Sequence, residues 1–230
     1  RSVNYLEQTS GKVKSDEKQG VKVIFDNPEA TYIPFDVIRS YDLPLVMGDF
    51  TARMADPNVK SELDWQLYLL QRRYLDYQVN IGNQMIDMLN GDEEQREKAA
   101  SLSIPKRKFQ DMMDELFAYT RKKIDRKSNE IFFYQDDEKL SPYKLSSGEK
   151  QMLVILLTAL VRNGERSVLF MDEPEASLHI EWQQKLIAMI RNLNPDMQLI
   201  LTTHSPAMIM EGWMEDVTEI SEITSSIDHE

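Results

Sequence analysis

The chain has 230 residues, 41% of them hydrophobic, enough for one globular core or for a core that carries a sizeable insertion. It has no cysteine, which excludes disulfides and thiolate metal sites, and no apolar run of about 18 residues that would insert in a membrane, so a soluble protein of a reducing cytoplasm is expected. A formal charge of −12 opposes a broad nucleic-acid surface, because phosphate binding relies on clustered Lys and Arg.

In chain order, residues 1–57 read as strands and turns. Val21–Phe25 is a short strand-like run stopped by Asp26-Asn27-Pro28, and Thr31–Phe35 is a second, with Pro34 placing it at an edge or a strand end. Arg39, in Val37–Asp42, faces either a phosphate or, as is commoner for a single arginine, solvent or an ion pair.

Residues 58–130 change character to long, charged, helix-favouring sequence. Leu63, Leu67, Leu70, Tyr74 and Tyr77 fall at helical spacing, and Met85, Ile86, Met88 and Leu89 continue an apolar face. Asn90-Gly91-Asp92 stops this helix. After Ile104-Pro105, the stripe Phe109, Met112, Met113, Leu116 and Phe117 opens another, so a helical hairpin or small bundle is expected, with the methionines as adaptable packing. Two basic runs, Pro105–Lys108 and Arg121–Lys127, are read either as a nucleic-acid path or as a solvated helix face paired with nearby acids. No aromatic residues interleave with them, which favours the second reading.

Ile131–Tyr134 reads as a strand, and the acids of Gln135–Lys139 as a solvated turn, since they lack the ligand spacing of a calcium loop. Ser146 followed by Glu149 is a capping box, and Met152–Leu157 behind it reads as a buried helix. The start Ser146-Ser147-Gly148 offers free backbone N–H groups, two hydroxyls and room for close approach, which makes an anion site; an ordinary capped core helix is the alternative. Ser167–Met171 reads as a buried parallel strand that stops at Asp172-Glu173-Pro174. Carboxylates there would be desolvated, so a cation or a reacting water is expected: Asp172 suits Mg²⁺, and Glu173 suits polarising an attacking water.

Ile180–Leu193 reads as a helix with Trp182, Leu186, Met189, Ile190 and Leu193 on one side, and Gln198–Thr203 as the next strand. A right-handed β-α-β unit would then bring His204 beside the Asp172 end, where parallel sheets place ligands. A lone histidine after a strand is more often structural, and position alone makes His204 a candidate. His179 either lines an interface or caps the helix. Residues 211–230 carry several acids and no Lys or Arg, and read as a solvated or partner-held segment.

Together, Leu145–Gln151, Val168–Glu173 and His204 resemble, in order, the signature motif, the Walker B strand and the switch histidine of the ABC-type ATPase domain. Asp172–His179, with a histidine where transporter domains usually have an aspartate, is more similar to SMC, RecF and OLD-like ATPases and to antiphage-defence ATPases of retron and Septu type. The resemblance implies an α/β fold, a P-loop NTPase-like parallel sheet core with a helical insertion. It also implies ATP and Mg²⁺ as cofactors, Glu173 and His204 as catalytic residues, and Asp172 as the metal residue. Ser146, Ser147, Gly148, Glu149 and Ser177 would be nucleotide contacts, with Ser146 and Gly148 directed at the γ-phosphate of an ATP bound mainly by a second subunit of a head-to-tail homodimer.

The corresponding divisions are 1–57 and 131–210 for the ATPase core, 58–130 for the helical insertion and 211–230 for an acidic C-terminal segment. No stretch has the phosphate-loop form Gly-x-x-x-x-Gly-Lys-Ser/Thr; Ser10-Gly11-Lys12-Val13 lacks both the earlier glycine and the following hydroxyl. A segment like Gln8–Val13 commonly follows the phosphate-loop helix in the family, and the chain opens with Arg1. The loop is therefore expected upstream, and this stretch alone is not expected to turn over ATP. Neither Gln8 nor Gln19 is a convincing glutamine-loop residue. The implied function is ATP hydrolysis that moves a partner or nucleic-acid-linked system in antiphage defence or DNA maintenance, with a companion nuclease or other effector. The alternatives are an assembly module without turnover and the soluble ATPase subunit of a transporter.

Overall fold

The computed structural model describes residues 20–23, 31–39, 44, 56–210 and 212–220, with the side chains of 20–23, 31, 32 and 39 outside the description. The readings at Gln8, Ser10–Val13, Gln19 and the Asp26-Asn27-Pro28 stop, and that of the Arg39 side chain, lie outside it.

Two strands, β1 (Gly20–Val23) and β2 (Thr31–Arg39), precede three helices, α1 (Glu62–Leu89), α2 (Glu93–Ala99) and α3 (Ile104–Leu116). A small antiparallel sheet follows, β3 (Lys122–Ile124), β4 (Phe133–Gln135) and β5 (Glu138–Leu140). The chain then runs through α4 (Ser147–Val161), β6 (Ser167–Asp172), α5 (Ile180–Leu193) and β7 (Met197–Thr202).

The main sheet has the order β1-β2-β6-β7; β2, β6 and β7 are parallel and β1 is antiparallel to β2. This is an α/β fold with a parallel core. Among the described residues each half of β2 is paired on one side only, residues 31–34 with β1 and 35–39 with β6, so Pro34 stands at an edge and ladder end, as its residue type leads one to expect. It sits where β2 changes partner: Gly20 faces Pro34 in β1, and the pairing with β6 begins at Phe35 opposite Val168. A residue without an N–H is tolerated at such a hand-over because the ladder is interrupted there anyway.

Helix α4 is the centre of the molecule. Every residue from Glu149 to Leu160 is buried, as expected for a helix that is apolar nearly all round. Leu63, Leu67, Leu70 and Tyr74 of α1 join the same core, as do Phe109 and Met113 of α3, Leu169 and Met171 of β6, and Leu186 and Ile190 of α5. The helices of the insertion thus share one core with the sheet. Burial alternates along β6, so this strand is not buried on both faces among the described residues; Val37 and Ile200, on the neighbouring strands, are about half exposed. Leu169 and Met171 face the helices, whereas Phe170 belongs to the other face.

Two buried ionic contacts lock the insertion to this core. Asp36 of β2 accepts from Arg73 of α1 and from Arg162 just after α4, each at 2.8 Å. Burial pushes the Asp36 carboxyl up, but the two guanidiniums outweigh it and hold it below the ordinary aspartate value. At the opposite end of α4, Lys150 lies 2.7 Å from Asp64, the residue that also takes the Lys60 N–H at the start of α1.

The strand expected at Ile131–Tyr134 is shifted to Phe133–Gln135, with Ile131 buried just outside it. The acidic stretch is the two-residue tip of the β4–β5 hairpin, where Asp136 and Asp137 both have positive φ, the conformation such tight hairpins need.

Candidate active site

Strand β6 ends at Asp172 and the chain turns at once. Glu173 has a φ of 45°, a conformation that non-glycine residues adopt at a cost of order 1–3 kcal/mol. Strand β7 holds the turn in place. The Glu173 N–H donates to the Thr202 carbonyl at 3.0 Å, and the Thr202 hydroxyl donates to Asp172 Oδ1 at 2.5 Å. The parallel register that sets Asp172 opposite Thr202 brings the next residues of both strands to one edge, where His204 Nε2 lies 3.2 Å from Glu173 Oε1. The imidazole is 84% exposed and the Glu173 side chain 30%, so a ligand arriving from outside the described residues has access to both.

Asp172 itself is exposed rather than buried. The desolvation argument drawn from the sequence therefore does not apply to it: the strand carries its last residue out of the core. The chemistry of the donors still suits Mg²⁺. That ion takes oxygen ligands, keeps several waters and is commonly held by one or two carboxylates plus substrate phosphates. Among the described residues, no group of three or more His, Asp or Glu side chains forms a complete protein cage. A carboxylate at Asp172 with the Thr202 hydroxyl beside it matches that sparse pattern.

The start of α4 is built differently. Ser146 is its N-cap, and the capping box is complete: the Glu149 N–H donates to Ser146 Oγ at 3.3 Å, and Glu149 Oε2 takes the Ser146 N–H at 2.9 Å. The buried Glu149 carboxylate also accepts from Thr120 Oγ1 and from Lys122 Nζ, each at 2.8 Å. Burial pushes this carboxyl up, yet Lys122 and the Ser146 and Thr120 donors together hold it below the ordinary glutamate value. Its oxygens are thus engaged inside the chain, where they fix the helix start that carries Ser146 and Ser147. Ser146 and Ser147 remain exposed.

Gly148 is required by a close approach. A Cβ there would lie 2.4 Å from the backbone oxygen of Ser177, so the first turn of α4 rests on the turn that follows Glu173. Ser177 is exposed and presents its carbonyl to this contact. His179 occupies the N-cap position of α5 without a side-chain cap bond; its carbonyl takes the Trp182 and Gln183 N–H groups. With Ser146 it lines one end of a groove of about 1170 Å³ between α3 and α5.

Members of the second basic run pair with acids, as the reading of a face paired with nearby acids expects, although this run lies in β3 and its flanking turns rather than on a helix. Lys122 lies in β3 and is largely buried against Glu149, Arg126 pairs with Asp111 and Asp114, and Arg121 pairs with Asp136. Lys106 donates to Gln78, and Lys108 to Asn192.

The sequence pattern of the family described as "AAA domain, putative AbiEii toxin, Type IV TA system" matches residues 24–210. The chain belongs to this family. Among curated relatives, it is 28% identical over 246 aligned residues to the "Retron Vc95 probable ATPase" of Vibrio cholerae serotype O1 biovar El Tor, covering 96% of this chain and 44% of that protein. It is 29% identical over 99 residues to the "Retron Ec83 probable ATPase" of Escherichia coli, covering 38% and 18% of the two chains. A shorter match, 43% over 50 residues, is to Septu protein PtuA of Bacillus thuringiensis, covering 22% of this chain and 13% of that one. The chain thus spans less than half the length of each of these relatives.

Within this AAA-family domain, two positions at the site were not singled out from the sequence. Lys122 was hidden in a basic run, and only the fold shows that it reaches Glu149 across 27 positions of chain. Glu175 stood inside the Glu173-Pro174-Glu175 stretch with no assigned part, yet its carboxylate meets three consecutive residues of the His204 segment. An acid on the first turn, opposite the hydroxyl-rich Thr202-Thr203-His204-Ser205, was the available signal.

Proposed function

We propose that this chain is the catalytic core of an ATPase of antiphage-defence type, hydrolysing ATP to ADP and phosphate. The reading rests on one observation above all: the Glu173–His204 pair, 3.2 Å apart at the carboxyl ends of adjacent parallel strands. Phosphoryl transfer asks little covalent chemistry of a protein and much positioning, so a carboxylate fixed by a strained turn is a suitable partner for an attacking water. Glu173 takes a hydrogen bond from that water and aligns it, and His204 orients the Glu173 carboxylate and offers its second ring nitrogen to the transferred phosphoryl group. Asp172, with the Thr202 hydroxyl, would hold Mg²⁺, which supplies charge neutralisation for the phosphate oxygens when bound.

The exposed Ser146 and Ser147 hydroxyls and the free N–H groups at the start of α4 suit the γ-phosphate of a nucleotide held mainly by a second copy. This makes the working unit a head-to-tail homodimer. Glu149 acts here as the residue that fixes the helix start, and Ser177 as the surface on which that start rests. ATP binding and release would move the α1–α3 insertion and through it a partner, with a nuclease or other effector as the companion. The retron and Septu names of the relatives support a role in defence.

The test is Glu173→Gln in the natural full-length chain. It is expected to retain ATP binding, measured with a fluorescent nucleotide, while steady-state turnover falls by about 10²- to 10⁴-fold. Turnover near the wild-type rate would remove Glu173 from this role.

A further inference from the structure

We infer that Glu175 is a positioning residue: its carboxylate fixes the backbone that carries His204 and thereby sets where the imidazole meets Glu173. The inference rests on the hydrolytic reading above and extends it to a residue that touches neither water nor phosphate.

Three donors from consecutive residues converge on one oxygen. Glu175 Oε1 accepts from the Thr203 hydroxyl at 2.6 Å, from the His204 N–H at 2.8 Å and from the Ser205 N–H at 3.2 Å. A carboxylate oxygen that gathers adjacent backbone N–H groups holds a loop in one conformation, because charge-assisted bonds are stronger than neutral ones and all three must be satisfied together. The segment is tied down a second time. The Ser205 hydroxyl donates to Gln183 Oε1 at 2.6 Å, and Gln183 Nε2 donates to the Leu178 carbonyl at 2.9 Å.

The imidazole itself has little to hold it. Its side chain is 84% exposed, and Glu173 is its ionic partner among the described residues. Its place is therefore inherited from its backbone, and that backbone is held by Glu175. The other oxygen, Oε2, is buried and meets no hydrogen-bond partner among the described residues. All three of these bonds therefore act through the single oxygen Oε1. Two residues further on, Ser177 carries the carbonyl that packs on Gly148. One short turn thus touches both the His204 segment and the start of α4, and a shift at either end is felt at the other.

The experiment compares wild type, Glu175→Ala, Glu175→Gln and Thr203→Val in the natural full-length chain, with Glu173→Gln alongside. Glu175→Ala is expected to lower kcat by on the order of 10- to 100-fold, the scale of a small misplacement of a reacting group, while KM for ATP changes less than about twofold. Hydrogen exchange at the His204 and Ser205 amides should accelerate. Glu175→Gln, which keeps an acceptor, should recover most of the kcat and the protection, and Thr203→Val should show a smaller loss of kcat alone. The inference is overturned if wild type turns over but kcat is unchanged in Glu175→Ala, or if that variant unfolds and the folded Thr203→Val and Glu175→Gln proteins both match wild type. Should wild type not hydrolyse ATP, the proposed function falls, and exchange alone judges the clamp: unchanged protection in Glu175→Ala refutes it.

Discussion

Two glutamates divide the site between them. Glu149, at the start of α4, is buried and has its oxygens occupied by Ser146, Thr120 and Lys122. Glu173, just past the end of β6, is partly exposed, has a strained backbone and meets His204 at 3.2 Å. A carboxylate buried with its lone pairs committed holds structure, whereas one beside an exposed imidazole at a strand end is placed where a reacting group can reach it. The same residue type thus serves two purposes, and the surroundings decide which.

The largest separation between them should come from Glu173→Gln. Its expected loss of turnover is about 10²- to 10⁴-fold, with a thermal midpoint within about 2 °C of wild type, because Gln has the shape and volume of Glu. A large drop in the midpoint would show that Glu173, like Glu149, is structural. The converse is Lys122→Met, which strands the buried Glu149 charge and is expected to destabilise the fold by about 3 kcal/mol in urea unfolding. Adding Glu149→Gln to that variant should restore part of the loss, since the uncompensated charge is then gone. Next in size is Gly148→Ala, where the new methyl meets the Ser177 carbonyl; about 1–3 kcal/mol is expected, with altered exchange at Ser177 and Leu178 as the local signature. A neutral result there would mean that α4 does not rest on the Ser177 turn.

Acid provides the finest comparison. Asp36 and Glu149 both titrate below their ordinary values of 3.8 and 4.5 in the folded chain. The stabilisation they supply is therefore complete above those ordinary values and is lost as pH falls through the lower folded ones. Wild type should lose stability as pH drops below about 4, and Lys122→Met should show a shallower acid slope because Glu149 is no longer held down. Equal slopes in the two proteins would assign the acid sensitivity to the other carboxylates held low, Asp36 and Asp125.

Much of this arrangement was legible from local patterns. The Ser146–Glu149 cap, the apolar run behind it, the strand that stops at Asp172 and the helix Ile180–Leu193 are all where the residues place them, because capping and periodicity act within a few positions of chain. The long-range contacts were not. Arg121–Lys127 looked like a solvated basic face, yet Lys122 lies in a strand and closes on a glutamate in another element. Pro34 was legible as an edge or strand-end residue, but the two strands between which it hands over were not. Asp172 looked buried because its strand is apolar, but burial ends one residue earlier.

By itself, then, the order of residues determined the capped helix at Ser146, the strand that stops at Asp172 and the helix Ile180–Leu193, since those choices depend on neighbours a few bonds away. By contrast, β3 and the bounds of β4 were set by strand pairing. Which oxygen each distant donor would reach was decided only when the elements packed. A lysine, a threonine or a histidine amide can satisfy a carboxylate equally well on paper, and only the register of β6 against β7 and the seating of α4 on the Ser177 turn bring a particular one within 3 Å or so of Glu149 or Glu175.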